Sequence, residues 1–139
     1  MKTAQAPRWM TYVLVAAGIY NIIFGITAVA IPNWFFTTAG MPAPTYPFLW
    51  QCIGMIVGVY GLGYLAASRD PIRHWPIVMV GLLGKIFGPI GFLQAALSGS
   101  ITWTFGILIL TNDLIWWIPF TLILIAACKH HRAGNHSTA

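Results

Sequence analysis

Two charged side chains, Lys85 and Asp113, lie within long apolar stretches of the sequence, GLLGKIFGP and LTNDLIWW. A base and an acid in such surroundings could bind the polar part of a ligand, relay protons or form a buried ion pair. Two amides, Asn21 and Asn112, also lie in apolar surroundings. These four residues are therefore the first candidates for chemistry, and the elements that carry them decide whether they can meet.

Cysteine and histidine chemistry has little support in the sequence. No C-x-x-C motif occurs, and Cys52 and Cys128 fall near opposite ends of the predicted bundle, so dithiol redox chemistry has no residue pair. Haem held between helices needs His within the apolar runs, and none occurs there. Cys128, His130 and His131 form a loose cluster, short of the convergent ligands of a metal site. We expect no metal and no cofactor.

The composition excludes a soluble globule. Of 139 residues, 58% are hydrophobic and only 6% are charged, whereas roughly a quarter are charged in soluble domains. The net charge of +5 therefore indicates contact with a membrane surface and not with nucleic acid. Because a membrane span takes about 20 residues, the chain is long enough for four membrane helices and for no further domain.

Four apolar runs predict an all-α integral membrane protein, an antiparallel four-helix bundle. The first run ends at Pro32, the second at an SRDP turn, the third at an SGS turn and the fourth at Lys129. Each run is long enough to cross about 30 Å of hydrocarbon. The predicted spans are about 9–31, 46–67, 75–97 and 101–128, within one domain, 1–139, that ends in a polar tail, 129–139.

The basic residues predict the orientation of the bundle. They precede the first span, separate the second span from the third and follow the fourth, whereas the other two connections carry no charge. By the positive-inside rule, both termini and the middle connection are cytoplasmic, which we assign to a bacterial inner membrane. The basic tail would also contact anionic lipid head groups. The residues concerned are Lys2, Arg8, Arg69, Arg73, Lys129 and Arg132.

The outer connection, 32–45, is uncharged and aromatic, with Trp34, Phe35 and Phe36 in sequence. We expect it to lie in the membrane interface. Two interpretations remain open for it. It is either an aromatic anchor between two helices or a lid over an opening in the outer leaflet.

Small residues recur at steps of three and four in the first three spans, so each set lies on one helix face. Such faces predict close helix packing and also offer contacts for a homo-oligomer. The sets are Gly18, Asn21, Gly25 and Ala28; Gln51, Gly54, Gly58 and Gly61; and Gly81, Gly84, Gly88 and Gly91.

The four polar candidates are predicted to lie at one depth. Lys85 is ten residues into the third span, about 15 Å of helical rise, and Asp113 and Asn21 are each twelve residues into theirs, about 18 Å. An unpaired Lys or Asp at the bilayer centre costs about 2.5–3.5 kcal/mol. We therefore predict a direct ion pair between Lys85 and Asp113, supported by Asn21 and Asn112.

Five further side chains are expected around this pair. Gln51, roughly 8 Å deep, would extend the polar track outward, and Tyr20 and Tyr60 would form a polar wall. Trp116 and Trp117 follow the acid at i+3 and i+4, so they either line an aromatic cavity or pack in the core. Beside the lysine, the GKIFGP stretch is expected to hold a short unwound or π-bulged segment.

Three stretches of the sequence carry a resemblance: IPNWFFTTAGMPAPTYPFLWQCIGMIVGVYGLGY, RDPIRHWPIVMVGLLGKIFGPIGF and LTNDLIWWIPF. Over Tyr20 to Ile125 the chain resembles a group of short bacterial four-span membrane proteins that often carry a peroxide-reductase label. That label implies a redox cysteine pair, which this sequence does not have. In size and helix plan the chain is more distantly similar to DoxX-like membrane proteins, some of which accompany quinone-linked oxidoreductases. The resemblance implies a quinone-like ligand and a larger membrane complex, and it assigns no catalytic residue.

Three functions remain open at this point. The first is a binding or accessory protein whose polar cluster recognises a lipid-like or quinone-like molecule. The second is a proton-coupled transporter or channel built as an oligomer, since acid and base groups at one depth can relay protons. The third is a membrane enzyme that uses Asp113 as acid or base beside Lys85.

Overall fold

The structure is a computed structural model that describes residues 6–136, and every regular element in that range is helical. Lys2, which contributed to the predicted orientation, lies outside the described residues. The long helices are joined by turns, by a 3₁₀ turn and by one π-helical turn. The elements are α1 (Arg8–Ala30), α2 (Trp34–Thr38), α3 (Pro47–Ala67), α4 (Trp75–Leu97), the 3₁₀ turn Trp103–Phe105, α5 (Gly106–Ile109), the π turn Leu110–Leu114 and α6 (Ile115–His136).

Four helical segments are long and apolar enough to cross a membrane: α1, α3, α4 and the continuous stretch Trp103–Ala133. Large apolar side chains cover the outside, with Ile56 59% and Ile118 74% exposed. By length and composition the chain is therefore a multi-pass membrane protein. The fourth helix continues to His136, beyond its predicted end at Lys129, because no proline follows and a charged helix end can extend into water.

The first two spans pack through glycine, as the spacing of small residues predicts. A Cβ atom on Gly25 would lie 2.6 Å from the carbonyl oxygen of Gly54, and one on Gly61 would lie 2.7 Å from that of Gly18. Gly25 of α1 thus faces Gly54 of α3, and Gly18 faces Gly61, so the residue numbers of the two helices run in opposite directions along their contact. Without side chains between them, the two backbones come close enough to gain van der Waals contact in a lipid surrounding.

The third glycine set is divided between two environments. Gly81 lies against the ring of Tyr64 and Gly88 lies against the carboxylate of Asp113. Gly84 and Gly91 have no atom within 4 Å of an added Cβ, so they face outward. One face of α4 thus holds both packed and open positions, which the regular spacing alone does not distinguish.

The buried hydrophobic core lies at the end of the bundle where α1 begins and α3 ends. There, the Thr11 hydroxyl donates to the carbonyl oxygen of Ser68 at 3.0 Å. Side chains from α1, α3, α4 and α6 meet in one buried cluster at this end of the bundle. Its members are Met10, Leu14, Ala17, Tyr64, Ala67, Val78, Phe120 and Ile123.

At the other end, the short helix α2 folds onto the bundle through aromatic rings. Ring centroids lie 4.9 Å apart for Phe24 and Phe35, 5.1 Å for Phe36 and Trp50, and 5.7 Å for Phe36 and Phe105. These contacts join α2 to α1, to α3 and to the start of the fourth span. The connection 32–45 therefore contains a helix that closes part of this end.

Candidate functional site

Lys85 is buried in the middle of α4, with 4% of its surface exposed. Its ammonium donates a hydrogen bond to the backbone carbonyl oxygen of Asn112. The same nitrogen lies 6.0 Å from the ring centroid of Tyr64 and 5.9 Å from that of Trp116. The cation is thus held by one carbonyl and two aromatic rings, whose faces attract positive charge.

Asp113 is equally buried, at 5% exposed, and its carboxylate faces α4. The side-chain amide of Asn112 donates to Oδ1 of Asp113 at 2.8 Å. The other oxygen, Oδ2, lies 2.8 Å from the point where a Cβ atom on Gly88 would stand. The absence of a side chain at Gly88 therefore makes the room that this carboxylate occupies.

Lys85 and Asp113 do not form the predicted direct ion pair. Lys85 and Asp113, both in the described part of the chain, have no nitrogen–oxygen contact within the 4.0 Å of an ion pair. Asn112 lies between them, because its carbonyl accepts from the lysine and its amide donates to the carboxylate. Each charge has a neutral polar partner, so the burial cost is reduced without direct contact between the charges.

The predicted location of the π-bulged segment was wrong. Helix α4 runs unbroken through Lys85, and the π turn is in the fourth span, at Leu110–Leu114, where the Ile115 amide bonds the Leu110 carbonyl. Such a turn widens the helix and frees carbonyls for side-chain donors. Here two of these carbonyls accept side-chain hydrogen bonds. Lys85 donates to the Asn112 carbonyl oxygen, and the Trp116 indole donates to the Thr111 carbonyl oxygen at 3.1 Å.

The remaining predicted residues are only partly brought together. The Trp117 indole donates to the Lys85 carbonyl at 2.9 Å, which joins α6 to α4.

Asn21 is 3% exposed, and its Oδ1 has no hydrogen-bond partner among the described residues, so no contact shows it supporting the charges. Gln51 donates to the Val29 carbonyl at 2.9 Å, so its amide ties α3 to α1 instead of extending the polar track. The Tyr60 ring centroid lies 6.3 Å from that of Tyr64.

A cavity of about 280 Å³ lies under α2, at the end of the bundle opposite the buried core. Of the nine site residues predicted around the charged pair, only Tyr20 lines it, whereas Trp34 and Phe35 of the outer connection also contribute to the lining. Its lining is mostly aromatic and aliphatic with several hydroxyl groups, and it contains no carboxylate, amine, imidazole or thiol. The lining residues are Tyr20, Trp34, Phe35, Thr38, Ala39, Thr104, Phe105, Ile107, Leu108 and Thr111.

We call the part of the cavity lined by Tyr20 and Thr111 its deep end. Tyr20 lies ten residues before the end of α1, about 15 Å along the helix, whereas Trp34 and Thr38 belong to the overlying α2. The Tyr20 hydroxyl contacts Thr111 Oγ1 at 2.9 Å. Thr111 was not selected from the sequence, although it begins the polar triplet TND within an apolar run, a signal that could have identified it.

Both cysteines, Cys52 and Cys128, are free and exposed. Among the residues that the structure describes, no three His, Cys, Asp or Glu side chains come together. No family model, curated protein or solved structure matches this chain.

Proposed function

We propose that this protein binds a lipid-like or quinone-like small molecule in the cavity under α2. The observation that carries the proposal is an aromatic-lined space of about 280 Å³ whose deep end holds two hydroxyl groups. Small-molecule sites have this make-up, an apolar lining with a few polar groups that orient the ligand. Their volumes are about 300–1,000 Å³, so this cavity suits one ring or one short chain.

The charged cluster has a supporting role in this proposal. Lys85 and Trp116 bond the carbonyls of Asn112 and Thr111, and these bonds stabilise the π turn that presents the Thr111 side chain to the cavity. The cluster thus positions the deep end of the binding site. This differs from the sequence-based hypothesis, in which Lys85 and Asp113 contact the ligand themselves.

The binding proposal is tested by filling the cavity. Leu108→Trp places an indole in the lining, and Leu122→Trp places one on a surface where Leu122 is 48% exposed. Native mass spectrometry of gently extracted protein should reveal a bound amphiphile in the wild type and in Leu122→Trp, and not in Leu108→Trp. Absence of any amphiphile from all three proteins, in a preparation that retains other lipids, would contradict the proposal.

We further propose that the four spans form an antiparallel bundle in a bacterial inner membrane, with both termini cytoplasmic. The distribution of Lys and Arg supports this orientation. With Cys52 and Cys128 replaced by Ala, a membrane-impermeant maleimide added to intact cells should label Ser100→Cys and not His74→Cys. The reverse pattern would invert the topology.

Membrane lipids, a second copy of the chain and a larger membrane complex are the partners we propose. The basic residues Lys129 and Arg132 border a surface groove with Leu124 and Ile125, which supports contact with anionic lipids at that end. The outward-facing Gly84 and Gly91 support helix contact in a homo-oligomer. An accessory subunit would use such an exposed face.

A proton-coupled transporter or channel is the second candidate, and a specific observation favours it. Asp113 is buried in a π turn and has no direct ion-pair partner in the described part of the chain, and π turns are frequent at functional sites. Proton flux into liposomes that disappears in Asp113→Asn would establish this function. The enzyme hypothesis has no comparable support, because Asp113 and Lys85, its acid and base, do not line the cavity.

A further inference from the structure

The hydrogen bonds at the deep end of the cavity have a defined direction. Thr111 Oγ1 lies 3.1 Å from the carbonyl oxygen of Ile107 and 3.2 Å from that of Leu108. Carbonyl oxygens only accept, so the single hydroxyl hydrogen of Thr111 is directed to them. The Tyr20 hydroxyl, 2.9 Å away, then donates its own hydrogen to Thr111 Oγ1. Both hydrogens of the pair are therefore used within the protein.

The groups that remain free at this end are lone pairs of the Tyr20 oxygen and of Thr111 Oγ1, and both can only accept. We propose that the ligand donates a hydrogen bond to Tyr20 and is therefore a neutral, hydroxyl-bearing amphiphile, a phenol or an alcohol. This inference rests on the proposed binding function and names the ligand class. A neutral ligand fits because the lining carries no charged side chain. For a quinone-like ligand, the inference selects the reduced, dihydroxy form.

A carbonyl or ether ligand is disfavoured for a specific reason. Its oxygen would face the Tyr20 oxygen, acceptor against acceptor, unless Tyr20 turned its hydrogen away from Thr111. Either outcome loses one hydrogen bond, and a net hydrogen bond changes affinity by roughly tenfold. We therefore expect a phenol to bind about ten times more tightly than its methyl ether.

The test uses two probes that differ only in the group on the oxygen, a hydrogen in 4-hexylphenol and a methyl group in 4-hexylanisole. Each probe is titrated calorimetrically into protein in lipid nanodiscs, with empty nanodiscs as the blank. The wild type should prefer the phenol about tenfold. Tyr20→Phe should bring that ratio near one by weakening the phenol alone. Thr121→Val, on an exposed surface of α6, should leave the ratio unchanged.

A second variant separates hydrogen-bond direction from simple loss of structure. Thr111→Val keeps the side-chain shape but removes the acceptor for Tyr20, so the tyrosine hydrogen becomes available to the ligand. The aryl ketone 4-hexylacetophenone should then bind several-fold more tightly than it binds the wild type. Loss of structure would weaken every probe and cannot produce this gain.

The outcomes separate the inference from the function on which it rests. Equal binding of phenol and ether to the wild type, with both blocked by Leu108→Trp, would overturn the ligand class and leave the binding function standing. Unchanged ketone affinity in Thr111→Val would also overturn it. If no probe bound the wild type above the nanodisc blank, or if Leu108→Trp blocked none, the proposed function would fail as well.

Discussion

Gly88→Ala tests how the buried carboxylate is accommodated. The added methyl group would lie 2.8 Å from Oδ2 of Asp113, too close for carbon and oxygen that are not hydrogen bonded. The carboxylate must therefore move, and it is 5% exposed with an amide donor from Asn112 at 2.8 Å. Gly84→Ala is the matched control, because it lies one turn earlier on α4 with nothing within 4 Å of the new methyl group.

Two terms set the size of the effect. Replacing Gly by Ala within a helix stabilises by about 0.5–1 kcal/mol, and this term alone applies to Gly84→Ala. In Gly88→Ala it is opposed by loss of a hydrogen bond to a charged group, about 1.5–3 kcal/mol. We expect Gly88→Ala to lower the free energy of unfolding by about 1–2 kcal/mol and Gly84→Ala to raise it.

The assay is reversible unfolding in mixed micelles, followed by far-ultraviolet circular dichroism, with the same pair repeated in an Asp113→Ala background. There the methyl group at position 88 meets no carboxylate, so Gly88→Ala should become neutral or stabilising. Equal effects of Gly88→Ala and Gly84→Ala in the wild-type background would refute this account. So would a cost of Gly88→Ala that persists without the carboxylate.

Three further predictions use the same unfolding measurement. Gly25→Ala should lower the free energy of unfolding by about 1–2 kcal/mol through overpacking against the α3 backbone. Gly58→Ala should not lower it, because the nearest atom to the new methyl group would lie 3.9 Å away. Gln51→Leu should lower the free energy of unfolding by about 0.5–1.5 kcal/mol, because it removes the hydrogen bond to an α1 carbonyl. The same change at the exposed Gln94 should have little effect, and an equal loss there would contradict this role of Gln51. Gly40, at φ 71°, should tolerate Asn better than Ala, because asparagine adopts the left-handed conformation more readily; equal costs would exclude this backbone explanation.

The sequence by itself determined the helices and their membrane character. With 6% charged residues and four long apolar runs, each helix is specified locally, because backbone groups in lipid must be satisfied within the helix. The glycine contacts between α1 and α3 were likewise visible as a spacing, since steps of three and four place residues on one helix face. The same reasoning correctly singled out Lys85 and Asp113 as buried groups.

Tertiary structure alone decided the partners of those groups and the location of the cavity. A helical repeat gives depth and face but not the rotation of one helix against another, so Lys85 was predicted to meet a carboxylate and meets the Asn112 carbonyl instead. The π turn shifts the register of the fourth span by one residue, which no periodicity indicates. The cavity depends on α2 folding back over Tyr20 and Thr111, residues 91 positions apart, and such a meeting is set by packing of the whole chain.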